Sequence, residues 1–263
     1  METVTDRRLL VDERLRRILQ LLEERGRVTV RELVREFGVT TVTVRSDLDA
    51  LAGLGSLQRS HGGAVRLLET TADYPVRFKK ALHQDEKTRI GQAAARLVKP
   101  GQTVILDSGS TTLAVARHLK EPPPGRFTMV TNSLDIAMDL AEMPFVSVIM
   151  VGGLLRQVSR SFVGPQAEHM MRQIHADHLF LGVDGISLDA GPSTPDVLEA
   201  HLNALMVAAA DEVTVVSDSS KFGRRSLSVI CPMSSVHRVI TDKGISSETV
   251  QELERMGVQV IVA

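Results

Sequence analysis

Early in the chain, apolar residues recur at three- and four-residue steps. Leu10, Val11, Leu15, Ile18, Leu19 and Leu22 share one face, which predicts an amphipathic helix ending at Gly26. Thr29 then stands three residues before Glu32, a capping-box spacing that opens a short helix through Leu33, Val34 and Phe37, with Gly38 as its stop. Thr40 caps a third helix whose Val44, Leu48 and Leu51 fall on one side. Beyond Gly55, two short extended runs about Gly62-Gly63 predict a β-hairpin. Two short helices joined by a glycine turn, with a helix before and a hairpin after, outline a winged helix-turn-helix over residues 1–66.

The pattern then changes. Residues 67–74 are polar and without period, and Pro75 disfavours helical continuation, so 67–76 is expected to be a linker. From 77 to 263, helical periods alternate with apolar runs. A helix is predicted over 87–98, and strands over 103–107, 127–131, 146–151, 178–183, 213–217, 236–241 and 258–262. Strands alternating with helices predict an α/β, Rossmann-like domain. Its mostly parallel sheet is covered on both faces, with ligands beyond the strand carboxyl ends.

Composition changes the picture only when the chain is divided. The whole chain of 263 residues has net charge −1, but residues 1–66 hold 12 Arg and no Lys against 10 Asp+Glu. An arginine-only excess suits forked contacts with phosphate and guanine. It is equally an ordinary solvated helix surface, so charge alone decides nothing. With aromatics at 3% and no Trp, binding of single strands by base stacking is disfavoured. A single cysteine, Cys231, excludes an intramolecular disulfide and fits a reducing compartment. The longest nearly apolar stretch, 145–155, is too short to span a bilayer, and the first residues are charged rather than an apolar signal core. A cytoplasmic protein is expected, with no membrane partner.

On the third helix, the face opposite the apolar stripe carries Thr41, Val42, Arg45, Ser46 and Asp49, with Thr43 nearby. Hydroxyls, an aliphatic group and an arginine near a helix start suit major-groove reading of duplex DNA. Arg59, His61 and Arg66 make the hairpin a basic wing. In the larger domain, Asp107-Ser108-Gly109-Ser110-Thr111-Thr112 ends a strand in a carboxylate and opens a helix with three hydroxyls, a seat for phosphate. A capped helix start explains the same residues. There is no P-loop and no dinucleotide fingerprint, so no cofactor is expected. Thr131-Asn132-Ser133, Gly152-Gly153, Asp184-Gly185, Glu199 after a turn at Gly191-Pro192, and Asp218 through Lys221 to Gly223 repeat the theme at other strand ends. His169, His175 and His178 lack a ligand spacing, so no metal is expected.

These residues carry a resemblance. The run from Gly38 through Thr40, Val44-Arg45-Ser46-Asp47-Leu48 to Leu51, then Gly55, Leu57, Arg59 and His61-Gly62-Gly63-Ala64, resembles the DeoR-family winged helix-turn-helix. Thr40 stands where that family usually has Ser, and Ser46 where it usually has a second Arg. Lys87, the Asp107–Thr112 loop, Thr131-Asn132-Ser133, Gly152-Gly153, Phe162-Val163-Gly164-Pro165, Asp184-Gly185, Glu199-Ala200 and Asp218 to Gly223 resemble, in order, the DeoR-family effector domain over 77–263. Ser110 replaces a commoner Thr and Asn203 a frequent Lys. That domain is similar in fold to sugar-phosphate isomerases. The resemblance implies a repressor of carbohydrate genes, a homodimer or higher homo-oligomer, released from operator DNA by a phosphorylated sugar. It further implies that Ser110, Thr111 and Thr112 hold the phosphate, while Asp107, Asp184, Glu199 and Lys221 meet the sugar. A sugar-phosphate isomerase with an appended DNA module is the alternative, since the same groups suit enediol chemistry.

Overall fold

The computed structural model describes residues 10–53, 57–65, 73–80, 82–120 and 125–263. They form two compact units divided between Leu82 and His83. The first contains helices α1 (Val11–Arg25), α2 (Val30–Phe37) and α3 (Thr41–Gly53), with strands β1 (Arg27–Thr29), β2 (Gln58–Ser60) and β3 (Gly63–Val65). Gly26 and Gly38 end α1 and α2 in the left-handed region, and the Thr29–Glu32 capping box forms as expected. Leu15, Ile18, Leu22, Leu33, Val44, Leu48 and Leu51 close one core, joined by Phe78 from α4 (Val76–Lys79). Each such fully buried side chain is worth about 1.5–3 kcal/mol.

Two expectations are corrected here. Leu10 and Val11 are 72% and 58% exposed, because the buried stripe of α1 begins one turn later, where Arg14 turns inward. The wing is a three-stranded antiparallel sheet in the order β1-β3-β2, not a hairpin alone. Gly63 permits that third strand, since a Cβ there would stand 2.1 Å from the Val28 carbonyl oxygen.

The second unit holds a seven-stranded parallel sheet. Its strands are β4 (Thr103–Leu106), β5 (Phe127–Thr131), β6 (Val146–Met150), β9 (Ala176–Gly182), β12 (Ala210–Val216), β14 (Arg238–Thr241) and β15 (Gln259–Val262), in the order β15-β14-β12-β9-β4-β5-β6. All seven expected strands are present. Helices α5 (Gln84–Ala95), α6 (Ser110–His118) and α7 (Leu134–Leu140) cover one face, packing Ile90, Leu113 and Ile136 with Leu106 and Met129. On the other face, α8 (Pro165–Met171) and α9 (Val197–Ala209) pack Ala167 and Met206 with Ile105, Val130 and Leu179. Two small sheets were not anticipated: the β7 (Leu154–Arg156) and β8 (Ser161–Val163) pair, and β10 (Gly185–Ser187), β11 (Gly191–Thr194) and β13 (Ser228–Val229). The turn expected at Gly191-Pro192 is therefore the start of β11, held by antiparallel pairing to β10. The strand order reverses between β4 and β9, which makes their carboxyl ends the switch point where such sheets bind ligands.

Candidate functional site

In the smaller unit, α3 buries Val44, Leu48 and Leu51 completely and turns Thr41, Val42, Arg45, Ser46 and Asp49 to solvent. Val42 is 73% exposed, an apolar group presented rather than packed. Thr43 is half-buried and shares the cap: the Thr40 hydroxyl accepts its N–H at 3.2 Å and meets its hydroxyl at 2.9 Å. Arg59 is held in place, its guanidinium 2.9 Å from the Asp49 carboxylate and donating to the Gly63 carbonyl at 2.9 Å. It ties the wing to α3. His61 is exposed at the hairpin turn, while Arg66 and Gly55 lie outside the described residues.

One pair escaped the sequence reading. Arg14 donates to both oxygens of Asp47 at 2.5 and 2.9 Å, and both residues are buried. The signal was there: Asp47 stands at helical spacing inside the stripe Val44, Leu48, Leu51, and a carboxylate on a buried face needs a cation.

At the carboxyl edge of the large sheet, the expected residues gather in two clusters. The first lies toward α9. Asp107, at the end of β4, is 2% exposed and accepts from the Ser108 N–H at 2.6 Å and the Asn203 amide at 3.3 Å. Glu199, on the first turn of α9, accepts from the Ser161 hydroxyl at 2.9 Å, the Thr194 hydroxyl at 3.3 Å and Arg156 at 3.4 Å. Arg156 also meets Asp196 at 3.0 Å. Asn132 is fully buried and donates to the Phe162 carbonyl at 3.3 Å. The Thr131 hydroxyl accepts the Ser133 N–H at 3.1 Å, and the Ser133 hydroxyl caps α7.

The second cluster lies toward α5. Burial pushes the Asp218 carboxyl up, but Lys221, Lys87 and the Ser220 hydroxyl outweigh it and hold the group below the usual carboxylate range. Lys87 is buried on α5. Where α5 and α6 approach closely, a Cβ on Gly91 would meet the Ala114 backbone at 2.7 Å. Lys87 is one turn before Gly91, and Ser110 one turn before Ala114, so that cation lies level with the start of α6. There Gly109 (φ +150°) precedes Ser110, Thr111 and Thr112, and the Thr112 hydroxyl donates to the Gly109 carbonyl. Asp184 follows β9 between the clusters, its N–H on the Ser193 carbonyl at 3.0 Å.

Gly152 and Gly153 fall elsewhere. They line an open groove with Leu154, Gln166 and Met170, because β6 is the edge strand and its carboxyl end is remote from β12. His178 is buried at the amino end of the sheet on the Thr214 hydroxyl at 2.8 Å. Burial drives it down to about 4. Among the described residues no group of His, Cys, Asp and Glu is placed to hold a metal ion, and no helix is long and apolar enough to cross a membrane.

Asp107 carries a pH signature. Burial, and next the charge of Glu199, raise its carboxyl well above the ordinary range, against the pull of the Ser108 and Gly182 N–H groups. The folded state thus holds a proton that the unfolded chain has already released. Stability of this unit falls as pH rises from the ordinary carboxylate range through the raised one, then levels. Asp107→Asn removes the slope, so the variant gains on the parent in urea melts as pH rises above the ordinary carboxylate range. Parallel profiles for the two proteins would count against a raised Asp107.

A duplex-reading winged helix-turn-helix joined to an α/β unit with a polar site at its switch point defines a ligand-sensing DNA-binding protein. Residues 14–70 match the family model of the DeoR-like helix-turn-helix domain, and 82–243 that of the DeoR C terminal sensor domain. The chain belongs to the DeoR family of transcriptional regulators. It is 40% identical to a putative aga operon transcriptional repressor of Escherichia coli O157:H7, over 95% of this chain and 93% of that one. It is 35% identical to the HTH-type transcriptional regulator GlpR of Haloferax volcanii, over 96% and 98%. Among solved structures it is similar to ribose 5-phosphate isomerase A of Methanocaldococcus jannaschii, with TM-score 0.39 and 18% identity over 53% of this chain and 54% of that one.

Proposed function

We propose that this protein is a cytoplasmic repressor of carbohydrate genes. It holds duplex operator DNA through the start of α3 and the wing, and leaves it when a phosphorylated sugar binds at the carboxyl edge of the sheet. One observation carries this reading. The helix whose inner face is wholly buried presents Thr41, Val42, Arg45 and Ser46 outward at its first turns, the geometry for base edges and a thymine methyl. A homodimer places two such helices in successive major grooves about 34–36 Å apart. The phosphate sits at the start of α6 beside Lys87, and the sugar meets Asp107, Asp184, Glu199 and Lys221. The effector works by binding the DNA-incompetent arrangement more tightly, with a coupling of about 1–3 kcal/mol.

Operator DNA selected from a random duplex library by the full-length protein supplies the test. Arg45→Ala weakens operator binding by roughly tenfold or more and leaves effector affinity as it was. Lys221→Ala keeps operator binding and loses release by sugar phosphate. Unchanged anisotropy titrations for Arg45→Ala, or full release for Lys221→Ala, overturn the respective assignment. The protein shifts its melting temperature with the effector but forms no product in a coupled isomerase assay. Turnover there would replace this reading with the enzyme.

A further inference from the structure

The reading helix α3 carries three charged side chains, Arg45, Asp47 and Asp49. Each acid is matched from a different element. Asp47, on the buried side, is held by Arg14 of α1. Asp49, on the exposed side, has its Oδ1 2.9 Å from Nε of Arg59 in the wing. Arg45, exposed on the same face, makes no ion pair among the described residues. The helix thus keeps its one cation unengaged while both its anions are covered.

That outcome is not the local default. Arg45 and Asp49 are four residues apart, the spacing at which helical side chains of opposite charge meet. Alone, α3 would close this pair across its exposed face and draw the guanidinium back along the helix, away from its first turns. Arg59 stands in the way of that pairing. Its Nη1 donates to the Gly63 carbonyl at 2.9 Å, which fixes the guanidinium at the wing's turn while Nε meets α3. Gly63 is in turn paired to Thr29 on one side and Ser60 on the other, so the whole three-stranded wing holds the fork in place.

The Arg59–Asp49 pair has little to do for folding. Both side chains meet solvent, Asp49 at 65%, and such pairs add little stability. Its position matters instead for a polyanion. An uncovered carboxylate on the outward face of α3 would repel phosphates and compete with DNA for Arg45. Guanine presents two acceptors to a forked arginine, and Arg45 meets them only if its fork is not already taken.

We infer that Arg59 is a positioning residue for operator reading: it occupies Asp49, cancels that charge, and leaves Arg45 free for a guanine edge. Arg59 acts through Asp49 and not by touching DNA. This rests on the reading of Arg45 given above and adds what keeps that side chain available.

Anisotropy titrations of the full-length protein at one salt concentration test this, on the selected operator and on the same duplex with single guanines replaced. The guanine read by Arg45 is the one whose replacement costs the parent roughly tenfold or more and costs Arg45→Ala nothing further. Arg59→Ala should lose roughly tenfold in operator affinity and most of its discrimination at that guanine. Adding Asp49→Ala should restore both, because the competing carboxylate is gone. Arg59→Gln, neutral but able to keep the Gly63 carbonyl, repeats the test should Arg59→Ala disturb the wing. Full discrimination in both Arg59 variants overturns the inference. So does a loss that persists when Asp49→Ala is added, which would place Arg59 on DNA or in the wing's fold. In either case a defective Arg45→Ala leaves the reading of Arg45 standing. Unchanged operator binding in Arg45→Ala overturns both.

Discussion

Asp47→Ala costs the smaller unit about 3–5 kcal/mol, because it strands the Arg14 guanidinium in a buried site. The pair is forked, with Arg14 Nε and Nη2 on the two carboxylate oxygens, and both side chains are almost fully covered. Arg14 is on α1 and Asp47 on α3, so the pair joins the helix that presents the reading face to the helix that braces it. Removing the carboxylate leaves a charge that neither solvent nor a neighbouring anion neutralises as well. Native-state hydrogen exchange in α1 and α3 reports the loss directly, with operator affinity falling in parallel. The double variant Arg14→Met/Asp47→Leu restores much of the stability, since a well-packed apolar pair is often as stable as a buried ion pair. A loss below about 1 kcal/mol in the single variant would show the pair to be solvated in solution.

Arg156→Ala is the counterpart in the larger unit. Arg156 meets Asp196 at 3.0 Å, Glu199 at 3.4 Å and the Ser159 hydroxyl at 3.1 Å, binding the β7–β8 hairpin to the first turn of α9. Its loss leaves Asp196, and Glu199 whose charge acts on Asp107, without this countercharge, and the expected cost is about 2–4 kcal/mol in that unit. Effector release is lost while operator binding persists. Arg156→Lys falls between, since an ammonium keeps the charge but not the fork that reaches two carboxylates. Chemical denaturation followed in the larger unit, with effector titrations on both variants, checks the prediction. Normal effector affinity in Arg156→Ala would remove Arg156 from the site.

Much of the fold was legible along the chain, for a physical reason specific to each element. The strands 127–131 and 178–183 stand out because parallel strands buried on both faces are continuous apolar runs. The turns of the helix-turn-helix are marked by Gly26 and Gly38, whose left-handed conformations suit glycine. β1, β7 and β13 are three residues or fewer, too short for a period, and form because a partner strand is already in place. At the site, the Asp107–Thr112 loop announced itself through a carboxylate, a glycine and hydroxyls after a strand. Arg156 did not, since an arginine in a short hairpin looks like ordinary surface until α9 is docked.

The alternation of apolar and polar residues, with caps and glycines between, determined by itself two units, their element types and the loops that meet at one sheet edge. These are local matters, settled by backbone sterics and by which face of each element avoids water. Tertiary structure alone decided the pairings: Arg14 with Asp47, Arg59 with Asp49, Arg156 with Glu199, and Asn203 with Asp107. It also divided the site residues between an acidic wall under α9 and a lysine-bearing wall beside α5. Electrostatic balance in a buried site depends on distances of a few ångströms between groups far apart in the chain, and only packing sets those.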